Sequence, residues 1–357
     1  MDHGRENGLP KWGVLLTGQC WQGFRVCQDA PAAHGAAHAG VTRKGTPVLN
    51  PSAAQPIKPP EGSTVVGTGK GGVGKSTVAA HLAGESAAAG DRTLLICVTG
   101  QDDDDLGIKR FNRGIRPEGP SVIDGEGLYS AIHDRTPLRP IREVRPNLDV
   151  MPGGPKVGEI DGLLMLRTLQ EGAGVVMSLA QALAPIAPLY DRIIFDSAPE
   201  KDSLEQLVLA AAKYLIVPTR SDDSSVRGME RISKNFKLVK TQVNPHLQMA
   251  GAFLYCSNRA ATLMHAAVYE EIRTTLGEGT PILETIVGYR EVPARNARKK
   301  GLLFGEYADL LPTSATTYDV KAGRATSADV VPDTIVPLAK EMRELNQEIF
   351  DHTRRMA

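Results

Sequence analysis

"TVVGTGKGGVGKSTVAAHLAGESAAAG", residues 64–90, decides how the chain folds. Thr64 to Thr68 begin it as a β-branched segment that reads as a strand. Gly69 to Gly74 form a glycine-rich turn, and Lys75 to Ala89 carry strong helix formers, with Val78 and Leu82 four apart on one face. Strand, glycine loop and helix are the setting in which G-x-x-x-x-G-K-[ST] binds phosphate. Glycines are needed because the backbone must come close to the anion with its N–H groups turned inward. The helix N-terminus adds its dipole to the same place.

The binding residues expected from this motif are Gly69, Lys70, Gly71, Gly72, Val73, Gly74, Lys75, Ser76 and Thr77. Lys75 reaches the β- and γ-phosphates, the Ser76 hydroxyl binds Mg²⁺, and Thr77 contacts the region of the α-phosphate.

Beyond the loop, 357 residues suffice for one large domain or two small ones with a real core. The 41 basic residues balance the 41 acidic ones, so no global field recruits nucleic acid or a membrane, and any such partner needs a local patch. Cys20, Cys27, Cys97 and Cys256 include no close pair, which fits a reducing compartment. Cys20, Cys27, His34 and His38 do not have zinc-knuckle spacing. No run of about eighteen apolar residues appears. Composition shifts near residue 62: residues 28–62 are rich in Ala, Pro, Gly and His and lack the apolar surface that would offset ordering entropy. The expectation is a disordered extension over 1–62 and a single domain over 63–357, closed by a C-terminal helix.

"YDRIIFDSAPE", residues 190–200, is the second anchor. Arg192 to Phe195 read as a strand ending at Asp196, a carboxylate that either caps a helix or, as in the Walker B element of P-loop ATPases that the stretch resembles, orients Mg²⁺. Further strands are expected at about 147–151, at Tyr214 to Val217 with Pro218 ending it, and within "NPHLQMAGAFLYCSNRA". Strands alternating with helical segments predict an α/β fold, a mostly parallel sheet with helices on both faces. Leu338, Met342, Leu345 and Ile349 form a helical stripe. The other face of that helix mixes Lys340, Glu341, Arg343, Glu344 and Glu348, which suits packing on the domain better than an anionic membrane.

With Lys70 opening the loop, K-G-G-V-G-K-S-T resembles the deviant Walker A box of ParA/MinD-type P-loop ATPases, and the resemblance runs from about residue 63 to 310. It implies a P-loop NTPase fold, ATP and Mg²⁺ as cofactors, and a homodimer around sandwiched nucleotides. It makes Lys70, Lys75 and Asp196 the catalytic set, with Lys70 reaching the partner's nucleotide, and brings Asn258 near the adenine. ParA-type relatives imply non-specific DNA binding by the ATP-bound dimer, an adaptor or centromere-binding partner, a cytoplasmic, nucleoid-associated location, and a role in plasmid or chromosome partitioning or cargo positioning.

The basic run Arg290, Arg295, Arg298, Lys299 and Lys300 is the DNA candidate, with a weaker row at Arg227, Arg231 and Lys234. No aromatic residues interleave with these cations, so base-specific reading is not expected.

One feature departs from the family. Where its strand after the P-loop helix ends in D-x-D-P-Q, this chain reads C-V-T-G-Q, with Cys97 and Thr99 in place of the two acids. A hydroxyl holds water but does not take its proton at neutral pH. Slow hydrolysis is therefore expected, and a non-hydrolysing ATP-bound scaffold is the competing reading. Asp102 to Asp105 follow closely and have three readings: a substitute acid, a cap on the helix "DLGIKRFN" or solvated loop, or a contact for a partner or metal.

Overall fold

The computed structural model describes residues 57–68, 70–100, 124–197, 201–221, 224–258 and 260–357, without the side chains of 224–227. Gly69, Asp102 to Asp105, Arg259, the Arg227 side chain and the expectations for residues 1–56 lie outside it. The described strands are β1 (Ser63–Val66), β2 (Thr93–Val98), β3 (Ile141–Arg145), β4 (Leu148–Met151), β5 (Arg192–Ser197), β6 (Tyr214–Thr219), β7 (Gln248–Ser257) and β8 (Val287–Gly288). They form one sheet in the order β3-β4-β2-β5-β1-β6-β7-β8. Every pairing is parallel except β3 with β4, an antiparallel edge joined through Pro146 and Asn147, whose φ is 61°.

The main helices are α1 (Lys75–Ala88), α2 (Glu126–Asp134), α3 (Ile160–Glu171), α4 (Ser178–Leu183), α5 (Asp202–Ala211), α6 (Ser224–Gln242), α7 (Thr262–Leu276), α8 (Glu291–Lys300), α9 (Phe304–Ala308), α10 (Thr317–Lys321) and α11 (Ile335–Met356). Strand alternation sorts the core into two layers. Val65, Leu94, Ile96, Phe195 and Leu215 face one way, onto Leu128 of α2, Leu207 of α5 and Ile232 of α6. Val66, Leu95, Ile194 and Ile216 face the other way, onto Val78 and Leu82 of α1, Tyr307 of α9 and the α11 stripe. That stripe (Leu338, Met342, Leu345 and Ile349) is buried. Among the described residues no helix is long and apolar enough to cross a membrane.

Two boundaries differ from expectation. Residues 57–62, assigned to the extension, lie along the domain: Pro59 is buried, and Glu61 forms an ion pair with Lys213 beside β6. Pro218 lies inside β6 opposite Phe253 rather than ending the strand. By that point β1 has ended at Val66, so one side of β6 is open, and an open edge tolerates a residue without an N–H.

Candidate nucleotide site

The loop leaves the carboxyl end of β1 between β5 and β6, the end of a parallel sheet where ligands bind. Its left-handed turns fall on Gly72, at φ 75°, and on Gly74, the N-cap of α1, at φ 91°. A Cβ on Gly74 would lie 2.1 Å from the Tyr255 ring, so β7 holds the loop from below through an aromatic face that only glycine admits. Lys75 is 5% exposed and its Nζ donates to the main-chain carbonyl of Lys70 at 2.7 Å, so its side chain folds back onto the loop. Gly71, Gly72, Gly74, Lys75, Ser76 and Thr77 all line one cleft of about 510 Å³.

Asp196 is 3% exposed near the end of β5. It is in register with Val66, the last residue of β1, and with Cys97 of β2. A hydroxyl from Ser76 and a carboxylate from Asp196, completed by phosphate oxygens and water, make the all-oxygen set that Mg²⁺ takes. Among the described residues there is no group of three or more His, Cys, Asp or Glu side chains that would hold a metal by themselves. The glycine cradle, the buried lysine and this donor set fit a nucleotide with its magnesium.

Cys97 is half-buried, and Thr99 is 3% exposed and lines the cleft. The Thr99 carbonyl accepts the Gly154 N–H at 2.9 Å, and a Cβ on Gly153 would come within 2.7 Å of that carbonyl oxygen. Thr99 is therefore fixed on the cleft wall by the Gly153–Gly154 turn after β4.

The far wall of the cleft comes from Tyr255, Cys256, Glu291, Ala294, Arg295, Arg298, Leu302 and Phe304. Cys256 has φ 54°, and burial pushes its thiol pKa up. His81 of α1 also lines this cleft and is buried, 4% exposed. Its Nε2 accepts the Phe304 N–H at 2.9 Å, which leaves the proton on Nδ1 to donate to the Thr77 carbonyl at 2.8 Å. Burial lowers its pKa to about 4, so His81 is a neutral strut between α1 and α9.

The expected DNA residues separate in space. Arg290 is turned inward onto the buried Glu341 of α11, at 2.6 and 3.0 Å. Arg298 donates to Thr77 Oγ1 at 2.9 Å. Arg295 is exposed and also lines the cleft, while Lys299 and Lys300 are exposed on the last turn of α8. Asn258 is exposed past β7, where its Oδ1 accepts the Ala260 N–H at 3.1 Å. In the weaker row Arg231 pairs with Asp202 at 2.7 Å.

Two features escaped the sequence reading, the contact of Arg298 with Thr77 and the buried Glu205. Arg298 had a signal only as one cation among five. Glu205 of α5 is 2% exposed, and burial raises its pKa to about 7 although Asn235 donates to it at 2.5 Å. Glu205 shares the first turn of its helix with Asp202, and nothing in that spacing marks it.

A second cavity, of about 400 Å³, opens at the amino-terminal end of the strands between Pro60, Leu183 and Tyr190. It contains none of the loop chemistry.

Residues 64–249, more than half of the chain, match the family model described as an AAA domain. Among curated proteins, the chromosome partitioning protein ParA of Myxococcus xanthus is 32% identical over 209 residues, covering 57% of this chain and 68% of that protein. The chromosome-partitioning ATPase Soj of Thermus thermophilus is 26% identical over 249 residues, covering 68% of this chain and 87% of the relative. Among solved structures, the ATP complex of a Cyanothece McdA variant superposes with a TM-score of 0.57 at 16% identity, over 84% of this chain and 98% of that one, a likeness of fold. The chain belongs to the ParA/MinD-type family of P-loop ATPases.

Proposed function

We propose that this chain is an ATP-dependent partitioning or positioning protein of the ParA kind. ATP with Mg²⁺ fills the cleft, two subunits close around the nucleotides, the dimer holds DNA without sequence preference, and an adaptor releases it. The buried Lys75 folded back onto the loop at the Lys70 carbonyl, with the buried Asp196 in register with the last residue of β1, where that loop begins, carries this reading. Lys75 holds the phosphate chain, Asp196 and Ser76 hold the metal, and Lys70 is the cation offered to the second subunit. A lysine supplied across an interface makes association depend on nucleotide state. The ParA and Soj relatives, named for chromosome partitioning, support the same reading.

The test measures dimerisation by light scattering and DNA retention by sedimentation, each with ATP, with ADP and without nucleotide. Wild type should dimerise and retain DNA with ATP alone. Lys75→Ala should lose both, and Lys70→Ala should keep nucleotide but lose the dimer. DNA retention and mass that ignore nucleotide would count against the proposal.

A second reading is favoured by Cys97 and Thr99: an ATP-bound scaffold on DNA or on a partner that turns over negligibly. Thr99 lines the cleft with a hydroxyl where a carboxylate would take a proton, and loss of a general base costs about 10²–10⁴ in rate. Turnover that stays near background even with an adaptor, while ATP-dependent DNA retention persists, would favour the scaffold.

A further inference from the structure

We infer that Arg298 is a nucleotide-binding residue, its guanidinium taking the innermost phosphate of a nucleoside di- or triphosphate where the phosphate loop meets the base end of the cleft. The inference rests on reading the cleft as a nucleotide site and adds to that site a residue from the far end of the fold.

The first support is reach. Arg298 Nη2 donates at 2.9 Å to Oγ1 of Thr77, a residue 221 positions away and the third of helix α1. The first turn of a helix presents unsatisfied N–H donors, which makes it an anion site. A guanidinium beside it adds a full charge and a planar donor fork that matches phosphate oxygens.

The second support is position within the cleft. The lining begins with the loop, Gly71 to Thr77, and includes the apolar Leu302 and Phe304, the Phe304 ring lying 4.0 Å from His81, one turn past Thr77 in α1. A nucleotide lying along the cleft has its outer phosphates at Lys75 and its base at these apolar side chains. The phosphate next to the ribose then falls at Thr77, under Arg298.

The third support is charge. Among the described residues the lining includes the cations Lys75, Arg295 and Arg298, and one acid, Glu291, which accepts the Tyr289 hydroxyl at 2.9 Å. That excess suits a polyanion.

Basic residues in the last turn of a helix are favoured by its dipole alone, and this accounts for Lys299 and Lys300, which are exposed. It does not account for Arg298 spanning to another helix. The orientation is held by α8 itself, because Pro293 and Ala297 are buried on its inner face and Gly301 closes its end at φ 64°. Arg298 therefore belongs with the nucleotide site, although its neighbours in sequence suggest a DNA patch.

The experiment titrates the full chain with fluorescent mant-ADP and mant-ATP, using wild type, Arg298→Ala, Arg298→Lys and Lys75→Ala, with DNA retention measured in parallel. Arg298→Ala should weaken ADP and ATP alike, by about tenfold to a hundredfold, the range of one charge-assisted hydrogen bond. Arg298→Lys should recover only part of this, since an ammonium lacks the fork. Arg298 is exposed, so truncation opens no core, and the melting curve should stay close to wild type. Unchanged affinity for both nucleotides, with binding abolished in Lys75→Ala, would overturn the assignment while leaving the nucleotide site in place. A loss confined to ATP would overturn it by moving Arg298 to the outer phosphate. Weakened DNA retention with intact nucleotide affinity would overturn it in favour of a DNA contact. Wild type that binds neither nucleotide would remove the underlying reading as well.

Discussion

Cys97 and Asp196 are register partners across β2 and β5, so their side chains share one side of the sheet beside the phosphate loop. Register partners on adjacent strands are close enough for like charges to repel. With Cys97 in place, Asp196 has no second carboxylate beside it from β2. Cys97→Asp should destabilise the nucleotide-free protein by up to about 1 kcal/mol, and the loss should shrink when Mg²⁺ and nucleotide bring in countercharge. Chemical denaturation with and without Mg-nucleotide measures this, and equal loss in both conditions would contradict it.

Thr99 is the residue whose replacement should speed hydrolysis. Thr99→Asp puts a carboxylate on the cleft wall, where burial raises its pKa toward the range of a working base. Phosphate release should rise at least about tenfold, within the span that general-base catalysis supplies. The same substitution with Lys75→Ala should stay silent. A Thr99→Asp rate equal to wild type would show that the missing acid is not what limits turnover.

Gly74 and Tyr255 test the cradle. Gly74→Ala places a methyl 2.1 Å from the ring at φ 91°, which combines a clash with a left-handed backbone. Nucleotide binding should be lost in a protein that still folds. Adding Tyr255→Ala should restore only part of it, because the clash is relieved and the φ cost is not. Full recovery in the double variant would mean that the ring contact alone mattered.

His81 makes stability depend on pH. Its pKa is about 4 in the folded chain against an ordinary 6.5, so between these values the unfolded state binds more protons. Stability is therefore complete above about pH 6.5 and falls as pH drops through that range, by about 2 kcal/mol at pH 5 and about 3 at pH 4. Urea midpoints at pH 7.5, 6 and 5 measure the slope. His81→Gln should start from lower stability and show a flatter profile, whereas a wild-type midpoint unchanged between pH 7.5 and 5 would contradict the assignment.

Arg290 is a structural cation. Its guanidinium meets Glu341, which is 2% exposed and also accepts the Gly288 N–H at 2.8 Å. Removing one partner of a buried pair leaves a charge that burial penalises, so Arg290→Ala should cost about 3 kcal/mol. Arg290→Lys, measured on the folded fraction, should leave DNA retention near wild type. A selective loss of DNA retention in Arg290→Lys would return Arg290 to the DNA surface.

The sheet was readable because its central strands are short apolar runs, Leu94 to Ile96, Ile193 to Phe195 and Tyr214 to Val217, that can be satisfied only between two helical layers. The edge strand β3 was not readable. "IREVR" carries three charges in five residues, and its pairing with β4 depends on a left-handed Asn147 that no pattern announces.

By itself the sequence determined the phosphate loop, the strand that carries Asp196, and the burial of the α11 stripe. Each of these follows from local spacing, because backbone conformation and hydrophobic period are properties of neighbouring residues. Only the tertiary structure decided which cations face inward. Arg290, Arg298 and Lys299 are alike as a string, yet one is bound to α11, one to the phosphate-loop helix and one is exposed to solvent. What separates them is the docking of α8 against elements distant in the chain, since a charged side chain ends where its partner has been brought to meet it.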